Sequence, residues 1–200
     1  MRIDGTSTES DLKYKHDLNT FHCYRNYQSI WITSLEYKIT PLQISLVNGG
    51  ETFWLDNRTL GHVVEGEDGI QDFYAISVDV ATDPARLSTP KRPVLLGSFP
   101  AGVSAANFKY TPAGEMLVFS ASVWPDSSLE TVKEQDERWE NRGTSALIYE
   151  ETYVRHWDHY ILPKRSELFS VKLSRNGEEW SLESTFNPLM KGLKHVSLIN

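Results

Sequence analysis

The stretch NFKYTPAGEMLVFS, residues 107–120, decides the fold. Two runs rich in aromatic and aliphatic residues flank Pro112-Ala113-Gly114, a tripeptide typical of tight turns. This strand–turn–strand pattern predicts a β-hairpin. A second hairpin is predicted by TFWLDNRTLGHVV, residues 52–64, in which Asp56-Asn57 supplies the turn. Short β-forming runs separated by turn residues are typical of an all-β chain.

An internal repeat connects the two hairpins. Residues 73–78, FYAISV, and residues 168–173, LFSVKL, resemble each other, with large residues over large ones. The order of a hairpin followed by an exposed edge strand therefore occurs twice, and internal similarity at a period of about 50 residues indicates a radially repeated architecture. Units of four strands are typical of propeller blades. The sequence predicts an all-β fold, a partial β-propeller of about two four-stranded blades with one helical insertion.

The domain organisation follows from where this pattern begins. Residues 1–40 have no clean period of 2 or 3.6 and form a poorly defined N-terminal segment, apart from one expected strand at 28–33. Residues 41–200 form the partial propeller, with the helical insertion at about 121–145. Within the insertion we expect a helix from Ser128 to Asn141, capped by Ser127 or Ser128. That helix either packs on a blade edge with one solvated face or acts as a lid.

Composition excludes several classes of protein. Lys and Arg total 20 against 27 Asp and Glu, which gives a net charge of -7. An acidic chain without a basic stripe is a poor candidate for nucleic-acid binding, because phosphate contacts depend on positive charge. No apolar run approaches the ~20 residues that span a bilayer. A single cysteine, Cys23, cannot form an internal disulfide.

The sequence also leads to expectations about the cellular location of the chain and about whether it is part of a larger protein. The first residues lack the apolar core of a secretory signal, so the chain as given is expected to stay in the cytosol. Two blades would leave apolar faces exposed to water, since propellers close with typically 4 to 8 blades. We therefore expect the chain to be a fragment of a larger protein or a truncated product.

The sequence offers no convincing catalytic motif. Ser104 lies in Gly102-Val103-Ser104-Ala105-Ala106, which lacks the last glycine of a nucleophile elbow and precedes a predicted hairpin instead of a helix. We interpret Ser104 as a loop serine. The glycine-containing stretch 97–102 has a proline and no Lys-Ser/Thr ending, so it predicts no phosphate loop.

A metal site is the next chemical option. His156, Asp158 and His159 lie close in sequence, but on one continuous strand His156 and Asp158 would share a face and His159 would point to the other. No His-Glu-x-x-His or cysteine spacing supports a metal. We predict no metal site.

One modification site is suggested by the sequence. Asn57-Arg58-Thr59 is an Asn-x-Ser/Thr sequon at the tip of the predicted hairpin, where a glycan is sterically acceptable if the chain is secreted. Asn57 is therefore a glycosylation candidate.

One segment goes beyond general β character. Residues 149–160, YEETYVRHWDHY, and residues 163–169, PKRSELF, resemble the Arg-His-Trp-Asp signature and the following strand of the fungal dipeptidyl-peptidase V branch of the prolyl oligopeptidase family. Residues 120–126, SASVWPD, and residues 52–56, TFWLD, are similar to that branch as well. The resemblance extends over roughly residues 41–200.

The resemblance implies a seven-bladed propeller on an α/β-hydrolase domain, in a secreted serine peptidase that releases N-terminal dipeptides without a cofactor. The catalytic Ser, Asp and His of such enzymes belong to the hydrolase domain, and no part of this chain matches that domain. No catalytic residue is therefore assigned here. The expected partners are a peptide substrate, the missing blades and the hydrolase domain, with no nucleic acid and no membrane.

Four residues of this chain match the family motif: Arg155, His156, Trp157 and Asp158. On a blade rim an Arg–Asp pair beside a tryptophan would help to hold a peptide terminus. The alternative is a structural corner, in which Trp157 is buried and Arg155 pairs with Asp158. At the level of the whole chain, the alternatives are a stand-alone interaction module or a non-functional truncated product.

Overall fold

The computed structural model describes residues 6–11, 27–32, 42–46, 50–66, 69–78, 92–147, 155–156, 159–160, 163–177 and 179–191. These residues belong to two compact units. Unit 1 takes its residues from Met1–Gly66 and Asp72–Gly97, and unit 2 takes them from Glu67–Gln71 and Ser98–Asn200.

Unit 1 begins with a three-stranded antiparallel sheet in the order β1-β2-β3. Its strands are β1 (Thr6–Asp11), β2 (Tyr27–Ile32) and β3 (Leu42–Leu46). The strand expected at residues 28–33 is confirmed as β2. Strand β1, TSTESD, has no apolar residue and therefore no alternating pattern. Strand β3, LQISL, alternates apolar and polar residues, and it was missed because the pattern is only five residues long.

A four-stranded antiparallel sheet completes unit 1, in the order β4-β5-β6-β7. Its strands are β4 (Glu51–Trp54), β5 (Thr59–Glu65), β6 (Gln71–Ser77) and β7 (Val94–Ser98). The predicted hairpin at residues 52–64 is confirmed as β4 and β5, with Trp54 opposite Leu60 at its closed end.

The core of unit 1 draws on both of its sheets. Ile32 of β2 and Ile44 of β3 join Leu60, Ile76 and Val78 in one buried cluster, against which Trp54 packs. Removing such aliphatic side chains from water contributes about 1.5–3 kcal/mol each. The N-terminal strands therefore share a hydrophobic core with the four-stranded sheet.

Unit 2 contains the second four-stranded antiparallel sheet, in the order β8-β9-β12-β13. A short 3-10 turn at Pro112–Gly114 joins its first two strands, which confirms the second predicted hairpin. One α-helix and a small two-stranded hairpin lie between β9 and β12. The elements are β8 (Ala105–Thr111), β9 (Met116–Val123), α1 (Val132–Glu140), β10 (Arg155–His156), β11 (His159–Tyr160), β12 (Arg165–Asn176) and β13 (Glu179–Pro188).

The two four-stranded sheets correspond strand by strand. In each sheet a tight hairpin provides the first two strands, and the repeated segment, residues 73–78 or 168–173, occupies the third position. The expectation that this segment lies at an exposed edge is wrong, because β7 and β13 pair outside it. An inner strand buries residues on both faces, as Phe169, Ser170 and Val171 do in sequence. The predicted class, an all-β partial propeller-like fold with one helical insertion, is confirmed.

The helix begins later than the sequence predicts. Residues 128–131 are not helical, because Ser127 has a φ of 54° and turns the chain away from a helical path. The predicted serine caps are also wrong, since Thr131 occupies the N-cap position and its side chain makes no capping bond. Asp126 organises this turn instead, accepting hydrogen bonds from Thr131 Oγ1 and Gln135 Nε2, each at 2.6 Å.

An aromatic core fills unit 2. Phe119, at the centre of β9, is fully buried and lies within 5.2–6.0 Å, centroid to centroid, of four other phenylalanine rings. These rings belong to Phe99, Phe108, Phe169 and Phe186. Offset and edge-to-face contacts of this kind contribute about 0.5–1.5 kcal/mol per pair beyond the area they bury.

Two buried serines in neighbouring strands differ in their hydrogen bonding. Ser120 Oγ accepts a hydrogen bond from Asn107 Nδ2 at 2.8 Å and donates one to the Ala106 carbonyl at 3.1 Å. Ser170 is 1% exposed, and its hydroxyl has no partner among the described residues. A buried hydroxyl without a partner costs about 1–3 kcal/mol of desolvation.

We expect Ser170→Ala to raise the free energy of unfolding by about 1 kcal/mol, because it removes a desolvated polar group and little volume. Ser120→Ala is the matched control, and it is expected to lower that free energy by about 1 kcal/mol, because it removes the two hydrogen bonds that the Ser120 hydroxyl makes with Asn107 Nδ2 and the Ala106 carbonyl. Urea midpoints of the two variants check this. A destabilised Ser170→Ala variant would contradict it.

Candidate functional site

The family-like motif lies in a segment that leaves the sheet of unit 2 and returns to the same place. Strand β9 ends at Val123, β12 begins at Arg165, and these two residues pair directly across the strands. We call residues 124–164 the excursion and the place where its ends meet the neck. Both α1 and the hairpin β10–β11 belong to the excursion.

The structure describes only two of the four motif residues, Arg155 and His156. Arg155 and His156 form β10, whose backbone pairs with Tyr160 and His159 of β11. Trp157, Asp158 and the side chains of Arg155 and His156 lie outside the described residues. The premise of one continuous strand through residues 156–159 is wrong, because the chain reverses and sets His156 opposite His159. The role of the four motif residues stays a prediction.

Chain geometry places this hairpin close to the neck. Tyr160 ends β11 and Lys164 immediately precedes β12, so four residue steps separate them. An extended chain advances at most about 3.6 Å per residue, which limits the distance between their Cα atoms to about 14 Å. Tyr160, the last residue of the hairpin, is therefore within about 14 Å of the neck.

A single carboxylate connects both ends of the excursion to α1. Asp136 Oδ1 accepts a hydrogen bond from Trp124 Nε1 at 3.0 Å, and Asp136 Oδ2 accepts one from Lys164 Nζ at 2.7 Å. Trp124 is the first residue of the excursion and Lys164 is the last. The side chains of Lys164 and Asp136 are 26% and 33% exposed, so this pair is more shielded than an ordinary surface salt bridge.

A second connection crosses the neck. Ser127 Oγ donates a hydrogen bond to Glu167 Oε1 of β12 at 3.0 Å. The other carboxylate oxygen, Glu167 Oε2, is buried and has no hydrogen-bond partner within the described part of the chain. Two carboxyl groups, those of Asp136 and Glu167, therefore lie at the neck, and Asp136 forms a salt bridge with Lys164.

Helix α1 lies close against the loop that precedes β8. A Cβ built on Gly102 would lie 3.1 Å from the Cα of Lys133, and Gly102 has a φ of +78°. On the other side, Trp139 packs on Trp124 with ring centroids 5.5 Å apart, and the Arg142 guanidinium lies 4.2 Å from the Trp139 centroid. These contacts make α1 a fixed part of unit 2.

The neck residues were missed by the sequence analysis. Trp124, Asp136 and Lys164 are separated by 12 and 28 positions, and no motif links them.

Ser104, interpreted as a loop serine, lies between the turn at Gly102 and β8, with no helix after it. Among the described residues, no group of three or more His, Cys, Asp or Glu side chains is arranged to hold a metal ion.

The glycosylation candidate lies where the sequence places it. Asn57 is exposed in the turn between β4 and β5, and its neighbour Asp56 accepts a hydrogen bond from the Arg58 amide at 2.7 Å. Thr59, the third residue of the sequon, is buried in the folded chain. Modification of Asn57 stays a prediction.

Unit 1 contains a buried histidine, His62, which belongs to no recognisable sequence motif. His62 on β5 lies opposite Thr52 on β4, and Thr52 Oγ1 is 3.1 Å from His62 Nδ1. Burial lowers the pKa of His62, because desolvation disfavours the charged ring, and a hydrogen bond with the Glu51 backbone opposes this only in part. The neutral ring is therefore the form that the folded chain prefers.

The lowered pKa of His62 predicts a pH-dependent stability. Below the ordinary pKa of 6.5, the unfolded chain binds more protons at this position than the folded chain does. Stability is therefore expected to fall as pH decreases from 6.5 towards the lowered folded pKa. Urea midpoints between pH 7.5 and pH 5 measure this, and His62→Gln should flatten the dependence. An equal pH slope in both proteins would contradict the assignment.

Several proteins named as dipeptidyl-peptidases are similar in sequence to this chain. The chain is 28% identical over 163 residues to a protein named dipeptidyl-peptidase 4 from Giardia intestinalis, a match that covers 72% of this chain and 20% of that protein. It is 35% identical over 53 residues to a probable dipeptidyl-peptidase 5 from Arthroderma benhamiae, covering 26% of this chain and 7% of that protein. A dipeptidyl-peptidase 5 from Trichophyton schoenleinii is 34% identical over 53 residues.

These relatives support a dipeptidyl-peptidase-like origin for the chain. The chain spans about a fifth of the length of the Giardia protein and less than a tenth of the fungal ones. No family model matches the sequence, and no solved structure matches it. Within the described residues, no helix is both long enough and apolar enough to span a membrane.

Proposed function

We propose that this chain is part of the propeller domain of a dipeptidyl-peptidase V-like serine peptidase. In the complete protein, a separate α/β-hydrolase domain would release dipeptides from peptide N-termini. The observation that carries the proposal is the combination of dipeptidyl-peptidase relatives with two four-stranded sheets of matching strand order. The match to only 20% of the Giardia protein supports a role as one part of a larger enzyme.

The excursion is the element of this chain that we assign to substrate access. Residues Arg155 to Asp158 belong to it, and the neck holds it at one end of the sheet of unit 2. A guanidinium at position 155 would pair with a peptide carboxylate, and a carboxylate at position 158 would pair with a terminal ammonium group. The propeller would restrict which peptides reach the hydrolase domain, and the hydrolase domain would perform the chemistry.

The proposal is tested by comparing two proteins. We expect the 200-residue chain alone to leave chromogenic dipeptide substrates intact. The longest reading frame that contains it should hydrolyse them, and a serine-directed inhibitor should abolish that hydrolysis. Turnover by the chain alone that the inhibitor removes would contradict the division of labour. A longer protein without dipeptide release would contradict the proposed function.

A second candidate function is a protein-interaction module, and one observation favours it. Strand β7 is the last strand of its sheet, and its Val94 and Leu95 are 60% and 52% exposed. An edge strand with exposed apolar residues is a template for strand addition by a partner. Val94→Lys together with Leu95→Lys should abolish concentration-dependent association of the chain if β7 is the contact. Association that is unchanged in this variant would exclude β7.

A further inference from the structure

We infer that Asn176, in the exposed turn between β12 and β13, is a site of spontaneous covalent modification, at which the backbone nitrogen of Gly177 displaces ammonia from the Asn176 side chain. The reaction requires only water. It is independent of the proposed function, because every reacting atom belongs to this turn.

The turn is short and open to solvent. Asn176 is the last residue of β12 and pairs with Glu179, the first residue of β13, so two residues connect the strands. Asn176 and Gly177 are both exposed, and Gly177 has a φ of +66°. The first position of a two-residue hairpin loop requires a positive φ, which glycine adopts without strain. The turn therefore places a reactive amide beside a backbone nitrogen whose own residue has no side chain.

The attacking nitrogen is accessible. A Cβ built on Gly177 would meet no described atom within 4 Å. Arg175 Nε donates a hydrogen bond to the Gly177 carbonyl oxygen at 2.7 Å, so this contact uses the oxygen of Gly177 and not its nitrogen. Rotation of Asn176 towards the ring-closing geometry breaks only the last pair of the β12–β13 ladder, and terminal pairs open at a small fraction of the global free energy of unfolding.

The reaction balances without an oxidant or a cofactor. The Gly177 N–H loses its proton to water or hydroxide, and the nitrogen attacks Cγ of Asn176, which forms the N–Cγ bond of a succinimide ring. The Cγ–Nδ2 bond breaks, and Nδ2 takes up a proton and leaves as ammonia. Water then opens the ring at one of its two carbonyl carbons. The product at position 176 is aspartate or isoaspartate, according to which carbonyl is attacked.

Both products alter the hairpin. Aspartate places a negative charge directly opposite Glu179, and like charges at a cross-strand position are destabilising. Isoaspartate carries the main chain through the former side chain and lengthens it by one carbon atom. A longer connection no longer matches the two-residue loop that sets the register, in which Arg175 lies opposite Trp180. We therefore expect the modification to loosen the start of β13.

The test is peptide mapping of the 200-residue chain after incubation at neutral and at mildly alkaline pH. Mass spectrometry detects the replacement of amide by acid, and a protein isoaspartate methyltransferase identifies isoaspartate. Asn187 is the matched internal control, because it is an exposed residue of the same hairpin but precedes Pro188, which has no N–H to react. A second Asn-Gly dipeptide, residues 48–49, lies outside the described residues and is followed in a separate peptide.

We expect the acid to accumulate at Asn176, faster at the higher pH because the attacking nitrogen must lose its proton, and to be absent at Asn187. Gly177→Asn keeps the positive φ, which asparagine tolerates. This variant should slow the reaction at Asn176 by about tenfold, because the added side chain crowds the attacking nitrogen. Equal amounts of acid at Asn176 and Asn187 would overturn the inference without any variant, and so would an equal rate in Gly177→Asn and the unmodified chain.

The effect on the hairpin is measured by hydrogen exchange in the isoaspartate-containing fraction. Amides at the start of β13 should exchange about tenfold faster than in the unmodified chain, because local opening of the altered turn costs less free energy. Exchange in β9 should be unchanged, which separates a local effect from general unfolding. Equal exchange at the start of β13 in both fractions would overturn the loosening of the hairpin.

Discussion

Replacement of Phe119 by alanine is expected to lower the stability of unit 2 by about 3–5 kcal/mol, which is the usual cost of truncating a fully buried phenylalanine. The ring is 0% exposed and contacts four other phenylalanines, so its loss removes several aromatic contacts at once. The cavity would lie among the rings of Phe108 on β8, Phe169 on β12, Phe186 on β13 and Phe99 just after β7. Because these rings support one another, the surrounding structure can collapse only in part.

Hydrogen exchange of amides in β9 and β12 measures this loss where it occurs. Phe119→Leu is the matched control, and it should cost roughly 1–2 kcal/mol, since leucine keeps most of the apolar volume. We expect a graded loss of protection, with the alanine variant exchanging fastest. Equal protection in the alanine variant and the unmodified chain would show that the aromatic cluster does not stabilise this sheet.

Gly50→Ala is expected to disrupt the first hairpin of unit 1 at a cost of more than about 2 kcal/mol, because overpacking of a backbone contact has no side chain that can yield. A Cβ at position 50 would lie 1.8 Å from the Val63 carbonyl oxygen and 2.8 Å from the Val63 carbonyl carbon. Val63 pairs with Glu51, the neighbour of Gly50, so the clash falls on the sheet ladder itself. The β4–β5 pair must separate to accept the methyl group.

Gly114→Ala provides the control for this substitution. A Cβ at Gly114 meets only the Met116 side chain, at 3.6 Å or more, which is ordinary contact. This variant should be neutral or stabilised by about 0.4–1 kcal/mol, because alanine restricts the unfolded chain. Thermal unfolding of both variants measures the difference. A Gly50→Ala protein as stable as Gly114→Ala would contradict the packing described for β4 and β5.

The two four-stranded sheets were predictable because their signals are local. Strong β-formers on both sides of Asp56-Asn57 and of Pro112–Gly114 fix a hairpin within about 14 residues, and turn chemistry sets the register. The repeat then assigned residues 168–173 to the same position as residues 73–78. The edge placement was wrong in both sheets, and in unit 1 the outer strand β7 is short, with exposed Val94 and Leu95 that lack the alternation of a half-buried strand.

The start of α1 could not be read from the sequence. Ser127 and Ser128 are favourable cap residues by type, yet a left-handed Ser127 and the bonds to Asp126 direct the chain into a turn first. Propensity is a weak guide where a side chain offers the backbone a competing arrangement. The short strands β10 and β11 present the same difficulty, because two residues are too few to show a period.

The neck residues belong to a class that sequence patterns do not reveal. Trp124, Asp136 and Lys164 meet only because β9 and β12 are neighbours in the sheet, and nothing local in the sequence marks Asp136 apart from the other acidic residues of α1. The family-like motif could be located from the sequence, whereas the contacts of Trp124, Asp136 and Lys164 required the fold.

The pairing of Val123 with Arg165 has a consequence for how such chains diversify. Since the ladder closes beneath the excursion, the sheet is complete without it, and doubling the length of a flexible loop at that point costs only about 0.6 kcal/mol of closure entropy. The sheet thus offers a grafting point, where an inserted segment can be lengthened, shortened or exchanged while the strands beneath it keep their register.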